Sequence, residues 1–176
     1  MAKKRITVYW LIPAKPEREL FRKIIRILAK EFKAPRFEPH LTFLATSPKD
    51  RKATGRILKR LKAIPIRLEI RDISSSAKFT KTLFVRFKSS AALEKLIDSL
   101  ASQLANPRVK PRPDPHVSLL YKKMKASVKK ELASMIKLPF REVVFDSIKA
   151  MRCVSPITTR ANVKAWRQTA TRRLTH

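Results

Sequence analysis

Two of the three histidines in this 176-residue chain stand in matched surroundings. Pro39-His40-Leu41-Thr42-Phe43-Leu44 and Pro115-His116-Val117-Ser118-Leu119-Leu120 share the form Pro-His-x-(Thr/Ser)-apolar-Leu, whereas His176 is terminal. Side chains alternate along a strand, so His40 and Thr42 project from one face, as do His116 and Ser118, while Leu41, Phe43, Val117 and Leu119 enter the opposite, buried face. Each strand then offers one imidazole and one hydroxyl. Four such groups converging on a basic cleft suit in-line displacement at phosphorus. A neutral histidine takes a proton from water, an imidazolium protonates the departing oxygen, and the hydroxyls of Thr42 and Ser118 donate to phosphate oxygens. This scheme asks for no metal. A lone histidine beside a strand is more often structural than chemical; it is the repetition of the motif, hydroxyl included, that argues for a site.

Composition sets the setting for such a cleft. Lys and Arg total 42 against 13 acidic residues, a formal charge of +29 spread through the whole sequence, so an anionic partner is expected, nucleic acid or nucleotide first. With Gly55 the only glycine, Gly-rich phosphate loops and dinucleotide fingerprints are absent, which argues against kinase-like and nicotinamide chemistry. Cys153 has no second cysteine to pair with, and the short apolar run Ile6 to Pro13 reads as neither a secretory signal nor a membrane span. A cytoplasmic protein is expected.

The elements that would position the histidines follow from periodicity. A β-rich stretch, Ile6 to Ile12, precedes a helix opened by Pro16 with Leu20, Ile24, Ile27 and Leu28 at helical spacing, then a strand near His40 to Leu44. Ser47-Pro48 opens a second helix reaching about Ala63, and strands are expected over Ile66 to Ile73 and Thr82 to Phe87, joined by a mobile loop Ser74 to Lys78. Ser89 or Ser90 caps a third helix, Asn106 to Pro115 with four prolines must be extended, and a strand His116 to Tyr121 follows. Ser127 opens a fourth helix; Phe140 to Val154 and Val163 to about Arg172 read as closing strands. A gapless shift of 76 residues superimposes the halves, Leu20 on Leu96, Pro39 on Pro115, His40 on His116 and Thr42 on Ser118. The expectation is a duplicated α+β chain, 1–176 forming a single bilobal domain whose pseudo-twofold axis brings the two histidine strands across a central cleft.

On these motifs the chain resembles the two-histidine phosphoesterase superfamily, whose signature is a pair of His-x-(Thr/Ser)-apolar motifs. Val8-Tyr9-Trp10-Leu11-Ile12-Pro13 resembles its opening strand, Phe37-Glu38-Pro39-His40-Leu41-Thr42 its first motif, and Pro115-His116-Val117-Ser118-Leu119-Leu120-Tyr121 its second; Thr159 with Trp166 resembles its closing strands. Within the superfamily the match is nearest to the cyclic phosphodiesterase-like branch known from plants and yeast, with the RNA 2′,5′-ligase and cyclic phosphodiesterase branch beside it. The resemblance implies two β-sheets flanked by helices around the cleft. It implies metal-independent hydrolysis of 2′,3′-cyclic phosphates by His40, Thr42, His116 and Ser118 without a cofactor. The substrates implied are RNA ends, cyclic nucleotides or ADP-ribose 1″,2″-cyclic phosphate, the product a 2′-phosphate, and the enzyme a monomer away from membranes. It suggests that His40 serves the leaving group and His116 activates water.

Trp10 and Tyr121 would line the cleft, Trp10 stacking on a base. Trp10 reads equally as core, and Tyr121, an odd number of residues after His116, needs a bend at the strand end. Phe79 and Lys81 stay outside the set as loop residues. Asn162 is the candidate for a turn that glycine fills elsewhere. Two other classes compete: an RNA-binding module without useful turnover, and a metal hydrolase using Glu38 and Asp114, carboxylates that more plausibly orient the histidines or face solvent.

Overall fold

The computed structural model describes residues 3–109 and 113–175; Lys110, Pro111 and Arg112 of the proline-rich segment, and His176, lie outside the described residues. The chain is α+β. Strand β1 (Lys4–Pro13) is buried on both faces, so its composition shows no alternation: Tyr9 and Leu11 enter the large core, while Ile6, Val8, Trp10 and Ile12 join a smaller cluster with Met151 and Cys153. Helix α1 (Glu17–Glu31) begins after Pro16 and packs Phe21, Ile25 and Leu28 inward. It ends where Lys33 adopts φ 50°, the only positive φ at a non-glycine residue among those described. Among the described residues the left-handed turn is thus met by lysine and not by glycine. The remaining elements are β2 (Leu41–Thr46), α2 (Arg51–Arg60), β3 (Ile66–Ser75), β4 (Leu83–Phe87), α3 (Ala91–Ala101), β5 (Pro107–Arg108), β6 (His116–Leu120), α4 (Ala126–Met135), β7 (Glu142–Ser155), α5 (Arg160–Lys164) and β8 (Arg167–Arg173). Among the described residues no helix is long and apolar enough to cross a membrane.

The hydrogen-bonded order β1-β2-β6-β4-β3-β7-β8, with β1 also paired to β7 and β5 to β2, is antiparallel throughout the pairings. Two sheets can be recognised in it, β2-β1-β7-β8 and β6-β4-β3, joined on one side by the single pair Leu41–Val117 and on the other by the first residues of β7 against β3. The 76-residue shift maps Leu41 onto Val117, so this pair lies on the pseudo-twofold axis. The irregularity between Tyr9 and Trp10 against β2 has its counterpart between Leu83 and Phe84 against β6. The sheets are not the sequence halves, however. The first half's β3 pairs with β4, and the second half's β7 pairs with β1, so each sheet takes a strand from the other half.

Several local expectations give way to packing. The loop Ser74 to Lys78 is pinned: β3 continues to Ser75, Ser76 Oγ donates to the Lys81 carbonyl at 2.6 Å, and the buried Lys129 Nζ donates to the Ser76 carbonyl at 2.7 Å. The second helix stops at Arg60, because Leu61 turns extended to enter the core. The last strand starts at Arg167 and not at Val163, since Thr159 Oγ1 accepts from the Asn162 N–H at 3.3 Å and caps α5. Asn162 is accordingly no turn residue; it is buried in that helix, with Oδ1 accepting from the Thr158 N–H.

One buried polar network ties β2 to the segment after α3. Asp50, 5% exposed, accepts from Thr46 Oγ1 through Oδ2 and from the Ala105 N–H through Oδ1 at 2.9 Å; Thr54 Oγ1 donates to its carbonyl, and Tyr9 OH in turn meets Thr54 at 3.1 Å. Burial raises the Asp50 carboxyl's pKa, but hydrogen bonds from Thr46, Ala105 and Asn106 outweigh it and hold it below its ordinary value. Asp50→Ala strands these donors, so urea unfolding should register a loss of about 2 kcal/mol. A loss within experimental error would mean the network is dispensable.

Candidate active site

His40 lies one residue before β2 and His116 opens β6, and with Thr42 and Ser118 they line one cavity of about 270 Å³ between the two sheets. Trp10 and Phe84 sit opposite Thr42 and Ser118 in the neighbouring strands, and directly opposed residues share a face. Each motif thus has an aromatic partner. Trp10 stacks on the His40 ring at 3.7 Å and 16°, while Phe84 meets the His116 ring edge-on at 5.4 Å.

The same device orients both imidazoles. His40 Nδ1 donates to the Glu38 carbonyl at 2.6 Å and His116 Nδ1 to the Asp114 carbonyl at 2.7 Å. A carbonyl only accepts, so both rings carry hydrogen on Nδ1, and Nε2 is the nitrogen left to exchange protons. The carboxylates beside the motifs are engaged by cations. Glu38 accepts from Lys149 Nζ at 2.7 and 2.8 Å and lies 3.6 Å from Arg22, and Asp114 is bound by Lys81, whose Nζ also stands 4.3 Å over the Phe84 ring. Among the described residues no three of His, Cys, Asp and Glu gather into a set able to hold a metal.

The symmetry of the motifs does not extend to their surroundings. His40 is 6% exposed, with Trp166 edge-on at 5.6 Å, whereas His116 is half-buried. Burial, reinforced by repulsion from a charge on His116 and opposed by the Glu38 carbonyl, brings the His40 pKa down to about 4. The hydroxyls differ too: Thr42 is exposed, whereas Ser118 is buried and donates to the Thr80 carbonyl at 2.8 Å. The short turn Phe79–Lys81, set against β6, supplies the carbonyl that occupies the Ser118 proton.

Trp10 lines the cavity, is 2% exposed and stacks its ring on His40, so it offers the imidazole a platform. Tyr121 does line the cavity: β6 ends at Leu120, and beyond it the ring stacks on Phe37 at 3.9 Å. Burial raises the pKa of its phenol, with the Ser118 side chain pulling the other way. Lys78, Thr80, Lys81 and Trp166 also line the cavity. In the sequence Lys78 and Lys81 read only as loop residues and Trp166 only as part of a closing strand. The indole N–H of Trp166 is buried without a partner among the described residues.

Comparison with known proteins fits this arrangement. The profile of the 2′-5′ RNA ligase superfamily matches residues 13–153. The chain belongs to this superfamily, the two-histidine phosphoesterases expected from its motifs. No curated protein sequence matches. Among solved structures, E. coli LigT complexed with 3′-AMP superimposes with a TM-score of 0.56 at 17% identity, covering 100% of both chains. E. coli LigT complexed with NADP+ gives 0.58 at 15% identity, covering 99% of this chain and 100% of the other. A structure described as a phosphoesterase gives 0.59 at 18%, with the same coverage. These likenesses establish the fold, and the superfamily is one of phosphoesterases and ligases.

Proposed function

We propose that the protein hydrolyses 2′,3′-cyclic phosphates, on RNA ends or nucleotides, by proton exchange at the Nε2 atoms of His40 and His116. The observation that carries this reading is the pair of imidazoles in one cavity, each fixed in the same tautomer by a backbone carbonyl two residues upstream. His40, neutral across the physiological range, accepts a proton from water. The water oxygen bonds to phosphorus, the bond from phosphorus to the 3′ oxygen breaks, and His116 delivers its Nε2 proton to that oxygen, leaving a 2′-phosphate. Solvent then returns the histidines to their starting states. This assigns the base to His40, the reverse of the roles suggested by resemblance, because a deeply buried imidazole is poorly populated as an acid. Thr42, exposed in the cavity, donates to a phosphate oxygen, and Lys78 and Lys81 supply positive charge. Protein groups perform every step, and the enzyme works as a monomer in the cytoplasm.

The superfamily's ligase description favours one second reading, in which a ribose hydroxyl replaces water and the same two histidines make a 2′-5′ bond. Both readings are tested by incubating a 2′,3′-cyclic-phosphate-ended oligonucleotide and a cyclic mononucleotide with the protein and a strong chelator, with and without an acceptor oligonucleotide. A 2′-phosphate product that persists in chelator is expected. A protein inert on both substrates that still retains RNA would instead be a binding module. The pH dependence is a separate expectation: kcat/KM should fall on the acid side only as pH approaches 4, where His40 in the free enzyme becomes protonated. An acid limb near 6.5 would move the base role elsewhere.

A further inference from the structure

Beside the catalytic cavity lies a second, open concavity of about 560 Å³ lined by five cations, Lys30, Lys33, Arg36, Arg160 and Lys164, over small apolar residues. No acidic residue lines it, and none of the five has an ion-pair partner among the described residues. Lys81 and Lys149, close to the histidines, are by contrast paired. Lys30 near the end of α1 is accounted for by the helix dipole, which favours a cation there, but Arg160 stands in the first turn of α5, where that dipole opposes it. Lys33 holds a left-handed conformation, a position that glycine or asparagine occupies with less strain. Helix dipoles and the turn therefore leave most of this cluster unexplained.

Two chain segments lead from the concavity to the catalytic cavity. Arg36 is followed by Phe37, which stacks on the cavity residue Tyr121, and then by Glu38, Pro39 and His40. In the other segment Lys164 comes two residues before Trp166, which lines the cavity itself. A basic groove opening onto aromatic rings is the arrangement that tracks a single-stranded nucleic acid.

Resting on the proposed chemistry, we infer that this groove binds the backbone phosphates of a single-stranded RNA whose cyclic-phosphate end lies between His40 and His116. The substrate class is then polynucleotide, and a cyclic mononucleotide fills only the cavity.

The test compares the parent with a groove variant, Lys33→Glu with Arg36→Glu and Lys164→Glu, and with a control of equal charge change on and just after α2, Arg56→Glu with Lys59→Glu and Lys62→Glu. Two quantities are read: the ratio of kcat/KM for an octamer with a cyclic end to that for a cyclic mononucleotide, and the affinity for a non-cleavable octamer across a salt series. The groove variant should lower the ratio about tenfold or more and flatten the slope of log K against log salt by roughly 2, while the control leaves the ratio within about twofold. The corresponding glutamine variant, gentler on the fold, should shift both readings in the same direction by less. Equal losses in groove and control variants overturn the inference, as does an unchanged ratio. So does a groove variant that keeps octamer affinity but loses binding to phosphatidylserine vesicles. If the parent turns over neither substrate yet loses octamer affinity only in the groove variant, the groove stands and the cyclic-phosphate reading falls.

Discussion

His116→Ala and His40→Asn should each reduce turnover of a cyclic-phosphate substrate by on the order of 10² to 10⁴-fold, and the double variant should be little worse than either single one. Asparagine is chosen at position 40 because its side-chain N–H can replace the Nδ1 bond to the Glu38 carbonyl while removing the Nε2 lone pair. Trp10 then keeps a polar planar group against its face. The lack of additivity is the informative part. Proton acceptance and proton delivery belong to one displacement, so once either is removed the other has little left to assist. Two losses that multiply would mean the histidines act in separable steps. A His40→Asn enzyme with normal kcat would restrict that ring to packing between Trp10 and Trp166.

The second large effect concerns stability and follows from the burial that depresses His40. Its folded pKa of about 4 lies below the ordinary 6.5, so between these values the unfolded chain binds a proton that the folded chain refuses. The contribution is fully present above about pH 6.5 and is lost as pH falls through 4, an amount on the order of 3 kcal/mol. Urea denaturation of the parent and of His40→Asn at pH 7 and pH 4.5 isolates it, because acid titration of Asp50 and the other carboxylates is common to both. The parent should lose more stability between these pH values than the variant. Parallel losses would show that His40 takes up its proton without unfolding the site.

The histidine strands were legible because the motif repeats and Leu41, Val117 and Leu119 are buried as alternation expects, although Ser118 and Leu120 on the other face of β6 are buried as well. Trp10 was not legible to the same degree. Strand β1 is apolar on both faces, so its sequence does not say which rings look toward the cavity. The motifs repeat closely enough to suggest equal roles for Thr42 and Ser118, yet the turn that engages Ser118 comes from a segment 38 residues earlier, which no spacing within the motif encodes. Trp166 was seen only as part of a closing strand, since its place at the cavity depends on the Thr159 cap that starts α5 and delays β8. The short signal Thr159-x-x-Asn162 was available, but the β-formers around it prevailed.

The exchange of β3 and β7 between the two sheets bears on what a half of this molecule is. A chain carrying only the first half would pair β1 with β2 and leave β3 without the β4 strand it needs. Its one route to the full set of pairings is a second copy, each lending its third strand to the other, with the pseudo-twofold axis made exact. In that dimer the two imidazoles would come from different molecules, and no monomer would hold both proton carriers. Fusion into one chain makes proton exchange independent of protein concentration. It also frees the two copies of the motif to diverge, as the buried His40 and the half-open His116 have done.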